Sequence, residues 1–211
     1  KPTTLGDREL TWENTISTNI GVDFGFFNDR LSATFDAYHK KTTDLLLNVP
    51  VPEQSGYSES LQNIGKVRNR GFEFDLGASN INLGKVKWSW SANISHNKNT
   101  VLALADGQDQ IISGNFITQV GSPIAQFYGY NITGIYKTQE EIDNSPHMTG
   151  TQLGDNVIED TNGDGEITIE DKIGFGTYAP KFSYGFTTNF SYKGFDLSIA
   201  LNGVEGRTIY D

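Results

Sequence analysis

Apolar and polar residues alternate one for one along most of the first hundred residues and again near the end. Trp12, Ile16, Ile20, Val22, Phe24 and Phe26 fall on one side, and Glu13, Thr15, Ser17, Asn19 and Asp23 on the other. A period of two marks an extended strand with one apolar and one wet face. The pattern breaks at Phe27-Asn28-Asp29-Arg30, where Asn and Asp tolerate positive φ and suit a short hairpin turn. It resumes through Leu31, Ala33, Phe35 and Ala37 and fades near Leu45-Leu46-Leu47.

A second hairpin is predicted from Phe72, Phe74, Leu76 and Ala78, a turn near Leu83-Gly84-Lys85, and a return through Val86, Trp88, Trp90, Ala92 and Ile94. The third is the clearest: Phe182, Tyr184, Phe186, Phe190 and Tyr192, the turn Lys193-Gly194, then Phe195, Leu197, Ile199 and Leu201. Between the hairpins, residues 48–70 carry Pro50, Pro52 and Gly56 and read as a long loop. Residues 100–180 read as a longer one, too long for a plain connection and so expected to be functional or to hold its own small structure. Within it, Thr138 is placed to cap a short helix through Gln139-Glu140-Glu141-Ile142.

This is an all-β pattern of about six antiparallel strands, with tight turns at one end and long connections at the other. That layout is typical of an outer-membrane β-barrel. A strand needs ~9–11 residues to cross the hydrocarbon, and these are longer. Phe26, Phe27, Tyr192 and Phe195 beside the tight turns would form an aromatic girdle. The competing layout is a soluble two-sheet protein whose apolar faces meet in a core. Six strands fall short of the smallest such barrels, which have ~8, so the chain is expected to be a segment of something longer.

Composition narrows the function classes. With 12% aromatic residues and 36% hydrophobic, the chain is not disordered. A net charge of −10 gives no support for nucleic-acid binding. There is no cysteine, hence no disulfide framework. No apolar run is long enough for a transmembrane helix, which leaves a barrel open.

The sharpest chemistry lies in residues 160–171. Asp160, Asn162 and Asp164 occupy positions 1, 3 and 5 of a twelve-residue loop, and Gly165 stands at 6. Glu166 offers its carbonyl at 7, Thr168 stands at 9, and Asp171 closes at 12. That spacing wraps a calcium ion: alternate side chains point inward and the glycine permits the sharp turn. Ile167 at position 8 is the expected apolar anchor. Neither flank reads as helical, so a structural brace is expected and not an EF-hand sensor.

The chain also resembles a family. Leu10-Thr11-Trp12-Glu13, Asn19-Ile20-Gly21-Val22-Asp23, Asn63-Ile64-Gly65-Lys66-Val67-Arg68-Asn69-Arg70-Gly71-Phe72-Glu73, Phe127-Tyr128-Gly129-Tyr130 and Phe190-Ser191-Tyr192-Lys193-Gly194-Phe195-Asp196-Leu197 occur in the order and spacing of the C-terminal barrel region of SusC/RagA-type TonB-dependent outer-membrane transporters. One departure is Gly6-Asp7-Arg8-Glu9 where the family commonly has Asn-Pro before its Leu-x-Trp-Glu element. The resemblance implies a plugged barrel of about 22 strands in the outer membrane of a Gram-negative cell, with long loops outside. It further implies uptake of glycans or peptides, a SusD-type surface lipoprotein as lid, and TonB acting through a plug that lies outside these residues.

Other candidates carry less. His39, His96 and His147 lack metal-ligand spacing; His39 and His96 are expected at strand ends. The pairs Glu140-Glu141 and Glu170-Asp171 read as solvated neighbours, so no enzyme is expected. Tyr57, Phe116, Phe127, Tyr128, Tyr130 and Tyr136 would pack the loops, or alternatively stack on sugars. The alternative function is a soluble extracellular calcium-dependent carbohydrate-binding or adhesion β-module.

Overall fold

The computed structural model describes residues 4–5, 10–50, 54, 56–57, 59–104 and 108–209. Pro52 and the stretch 6–9 lie outside these residues. In chain order the elements are β1 (Thr4–Leu5), β2 (Asn14–Phe26), β3 (Leu31–Pro50), β4 (Glu59–Leu83) and β5 (Val86–Ala103). Short strands follow: β6 (Gln110–Ser113), β7 (Phe116–Gln119), β8 (Gln126–Tyr130) and β9 (Ile132–Ile135). Then come α1 (Gln139–Asp143), β10 (Asn156–Ile158), β11 (Lys172–Phe175), β12 (Phe182–Tyr192) and β13 (Phe195–Glu205). Two compact units result: Lys1–Ile111 with Thr118–Ile124 and Thr177–Asp211, and Ile112–Ile117 with Ala125–Gly176.

The first unit is one sheet in the order β13-β12-β5-β4-β3-β2, its long strands all antiparallel, with β1 adding a short parallel pair to β4. Three tight turns join its hairpins at one end. Phe27, Asn28 and Asp29 all take positive φ (57°, 58° and 60°), as do Gly84 (66°) and the pair Lys193 and Gly194 (46° and 86°). The chain leaves β3 and β5, and enters β4 and β12, at the opposite end of the sheet.

Register explains why the strands pair as they do. Val22 pairs with Phe35, Phe35 with Phe74, Phe74 with Ile94, and Ile94 with Tyr184. The next row is Phe24, Ala33, Leu76, Ala92, Phe186 and Leu201. A slip of one residue anywhere would move a strand's apolar set to the wet face, so the alternation itself specifies the pairing. Aromatic contacts follow the same rows: Trp88 stacks on Phe190 at 6.1 Å, and Trp90 meets Phe186 at 6.3 Å.

The long loop expected over 48–70 is corrected: β3 runs to Pro50 and β4 begins at Glu59, so only residues 51–58 separate them. Alternation fades where pairing does not. Lys40 pairs with Asn69 and Lys41 with Arg68, polar residues that need no apolar face to hold a backbone ladder. Irregularities between Thr42 and Leu45, and between Lys66 and Val67, also shift the face on which side chains fall. For the same reason His39 and His96 lie inside β3 and β5 and not at strand ends.

Burial is sparse in the sheet. Val67, Val101 and Leu104 form a small core, with Leu45, Ile111 and Ile124 packed on it. In the second unit, Phe127, Tyr136, Ile142 and Ile167 are buried. The helix α1 forms with the expected cap: the Thr138 hydroxyl accepts from Glu141 N–H while the Glu141 carboxylate accepts from Thr138 N–H. Among the described residues no helix is long and apolar enough to cross a membrane.

Candidate functional site

Residues 160–171 form a tight loop between β10 and β11, with a single 3-10 turn at Ile169–Asp171 and no α-helix on either flank. Gly163 and Gly165 take φ of 75° and 88°, a region open to glycine at little cost. These two residues fold the loop over the side chain at position 1. Asp160 accepts from Gly163 N–H through Oδ1 (2.7 Å) and from Gly165 N–H through Oδ2 (2.9 Å). Asn162 Oδ1 accepts from Asp164 N–H, and Asp164 Oδ1 from Glu166 N–H. The side chains at 1, 3 and 5 are therefore turned back onto the loop's own backbone.

Asp171 is fully buried and ties the two ends together. Its Oδ2 accepts from Thr168 N–H (2.7 Å) and its Oδ1 from Thr161 N–H (2.9 Å). The Thr168 N–H bond, foremost among several donors, holds the Asp171 carboxyl below its ordinary range, although its enclosure works the other way. Thr168 serves as cap of the 3-10 turn, its hydroxyl accepting from Glu170 N–H. Ile167 is 8% exposed and lines a cleft of about 350 Å³ with Tyr136, His147 and Asp155, in keeping with an anchor.

Each carboxylate oxygen that accepts one N–H keeps further acceptor capacity. The set Asp160, Asn162, Asp164, Thr168, Asp171 and the Glu166 carbonyl is all hard oxygen, the kind calcium takes. Among the described residues no three His, Cys, Asp or Glu side chains are gathered as a metal-holding group. The donor types and the turn fit the ion, while the carboxylates here are committed to backbone N–H groups.

The loop aromatics pack. Phe127 lies 5.3 Å from Phe116 and 6.4 Å from Phe175, and the Tyr136 hydroxyl donates to Pro146 O (3.1 Å). Lys172 sits over the Tyr130 and Tyr128 rings at 5.2 and 6.0 Å.

The sheet presents two contrasting faces. On one, large apolar side chains stand open: Phe24 is 51% exposed, Leu197 55% and Leu201 61%. A soluble module would have buried that face in a core. On the other, Asn19, Asp36, Tyr38, Lys40, Glu73 and Asn97 line a polar cleft of about 500 Å³. Tyr38 donates to Asn97 (3.1 Å) and lies across Gly71, where an added Cβ would stand 2.6 Å from its hydroxyl and 2.1 Å from His96 O. Sequence reasoning passed over this cleft. Its signal was an aromatic, Tyr38, on the wet side of an alternating strand.

Comparison with known proteins places this architecture. The family model for the "TonB dependent receptor-like, beta-barrel" matches residues 2–207. The chain is 37% identical to TonB-dependent receptor P26 of Formosa agariphila, over 96% of the chain and 21% of that protein. It is 32% identical to TonB-dependent receptor SusC of Bacteroides thetaiotaomicron, over 97% of the chain and 20% of that protein. The chain thus spans about a fifth of the length of these relatives. Among solved structures it superposes on the RagAB peptide transporter with a TM-score of 0.78 at 25% identity, covering 96% of this chain and 22% of that one. With an antiparallel sheet, one open apolar face and a match along almost its whole length, the chain belongs to the β-barrel of the TonB-dependent receptor-like family of outer-membrane proteins.

Proposed function

We propose that the chain forms a six-strand stretch of wall in an energised outer-membrane importer of glycans or peptides. The single observation that carries this reading is the sheet's two-sidedness: aligned apolar rows left open on one face, a charged and hydrogen-bonded cleft on the other. Lipid meets the first face and the lumen the second. The long connections face outward, where a SusD-type lipoprotein closes over the barrel; TonB acts through a plug outside these residues. Likeness to the RagAB peptide transporter supports import and, of the two substrate classes, peptides.

These 211 residues hold no cysteine, so a single introduced cysteine marks one position of the sheet for spin labelling. In the full-length receptor reconstituted in lipid, a label at Phe186→Cys should be reached by oxygen and shielded from a water-soluble nickel relaxant. A label at Asn93→Cys should show the reverse. Equal access to the nickel relaxant at both positions would sink the reading.

Within the second unit, the 160–171 loop is proposed to hold calcium through Asp160, Asn162, Asp164, the Glu166 carbonyl, Thr168 and Asp171. The ion supplies positive charge among five acids and fixes the path of an exposed loop. Extracellular sites of this kind work at ~10⁻⁴–10⁻³ M. Asp160→Ala combined with Asp164→Ala should abolish calcium heat in calorimetry and leave the strand content unchanged. Unaltered affinity in that variant removes the assignment.

A further inference from the structure

The register that aligns the apolar belt also fixes what lies just past it on the same face. The last largely apolar row on the side of the long connections is Ile20, Ala37, Phe72, His96 and Phe182, with Glu205 at its far end. Two residues further along each strand keeps the face and gives the row Thr18, His39, Arg70 and Lys98. Two more gives Ile16, Lys41, Arg68 and Thr100. His39, Lys41, Arg68, Arg70 and Lys98 therefore share one patch, in a chain whose net charge is −10.

Isolated, this arrangement is unfavourable. Directly opposed residues in an antiparallel pair stand ~5 Å apart at Cβ, and like charges there repel. Lys41 faces Arg68 and Arg70 faces Lys98 in this way. The nearby acids do not relieve it: Asp36 and Glu73 pair with each other on the opposite face, within the polar cleft. Glu205 is on the same face, but it pairs with Phe182, one strand beyond β5 and more. Lys41, Arg70 and Lys98 are exposed, and the Arg68 Nε is enclosed without a hydrogen-bond partner. An anion supplied from outside relieves the repulsion among Lys41, Arg70 and Lys98 and their opposed partners.

Depth identifies the anion. The 11 residues of β12 run from Tyr192 at the tight turn to Phe182 in the last apolar row. They extend ~34 Å along the strand, and at the usual barrel tilt of ~35–45° this matches an apolar band ~25 Å tall. The two basic rows begin where that band ends, at the level of lipid headgroups. Between Val22 and Phe26, and through their partners, the belt itself carries no charge on this face. Lysine stems can lie along apolar surface with the ammonium at the interface, and arginine forks take phosphate oxygens two at a time.

We propose that this patch is a binding site for the phosphate-bearing headgroups of anionic lipid in the leaflet at the long-connection end. The proposal rests on the reading that the apolar face meets lipid. It is tested with the full-length receptor in nanodiscs of phosphatidylcholine containing a minority of a phosphorylated, doubly negative lipid, with retained lipids counted by native mass spectrometry. Arg68→Gln with Arg70→Gln should lower retention of the anionic lipid roughly 30-fold. Lys40→Gln with Lys87→Gln removes the same charge from the opposite face and should leave retention within about twofold. Equal retention in wild type and the Arg68/Arg70 variant overturns the proposal, as does an equal loss in both variants. A receptor that stays monodisperse without lipid or detergent would instead overturn the reading beneath it.

Discussion

In the sheet, Phe24, Phe186 and Leu197 stand 51%, 38% and 55% exposed, whereas in the second unit Tyr136 and Ile142 are 3% exposed. Both regions are built largely from antiparallel strands, yet the sheet encloses only a small cluster at Val67, Val101 and Leu104 and leaves its belt open. The sheet instead aligns its apolar residues in rows and leaves them to the surroundings, so much of its stabilisation comes from the solvent it is placed in. The smaller unit relies on a few buried anchors and on polar groups that satisfy its loop backbone, Asp171 and the Thr138 cap among them. The difference shows that strand content alone does not say where a protein keeps its apolar surface; register and exposure together do.

The largest effects expected separate the two regions. Tyr136→Ala removes a buried ring and the hydroxyl that bonds to Pro146 O, a change that costs ~3–5 kcal/mol in a packed site. Native-state hydrogen exchange should show the second unit losing protection while β2–β5, β12 and β13 keep theirs. In the sheet, Phe186→Arg places a charge in the apolar belt and should cost ~2–4 kcal/mol of folding stability in lipid. Asn93→Arg, one strand away on the polar face, should shift stability by less than ~0.5 kcal/mol. Equal penalties at positions 186 and 93 would erase the distinction between the faces.

The sheet was largely legible in the sequence because its strands keep a two-residue period, with apolar side chains on one face and polar ones on the other. Ile20, Val22, Phe24 and Phe26 could be assigned to one face before any pairing was known, and the turns at Asn28, Gly84 and Gly194 carried their own chemistry. Legibility ended where the alternation gave way to opposed polar pairs and register irregularities. At His39, Lys40 and Lys41, paired with Arg70, Asn69 and Arg68, the ladder continues on backbone hydrogen bonds, which leave no hydrophobic trace. In the second unit the turn residues and the Thr138 cap were readable, but the pairing of β8 with β11, which joins residues 127–130 to 172–175 across a long interval, was not. The loop's donors were legible from their spacing. The backbone commitments of Asp160 and Asp171 were not, since these depend on where the peptide N–H groups point.

A smaller effect sharpens what the loop needs without any ion. Asp171 accepts one buried N–H on each oxygen, from Thr161 and from Thr168. Asn has one acceptor oxygen, so Asp171→Asn turns an amide NH₂ toward one of these donors. A buried donor left unsatisfied costs ~1–3 kcal/mol. With calcium chelated throughout, the variant should lose exchange protection at Thr161 or Thr168 while Tyr136 stays packed. No change under chelation would mean that Asp171 matters to this loop only as a ligand.

The smallest effect tests the helix α1, which has five residues and so gains little from its own hydrogen bonds. Its hold on the second unit comes from Ile142, 3% exposed, and from the reciprocal bonds between Thr138 and Glu141. Thr138→Ala deletes the hydroxyl that accepts from Glu141 N–H but leaves the Glu141 carboxylate on the backbone N–H groups of Lys137 and Thr138. Losing a cap of this type costs about 1 kcal/mol. The expected readout is faster exchange at Glu141, with Ile142 still buried and the sheet untouched. If Ile142 became exposed as well, the cap and not the buried side chain would be what holds this turn in place.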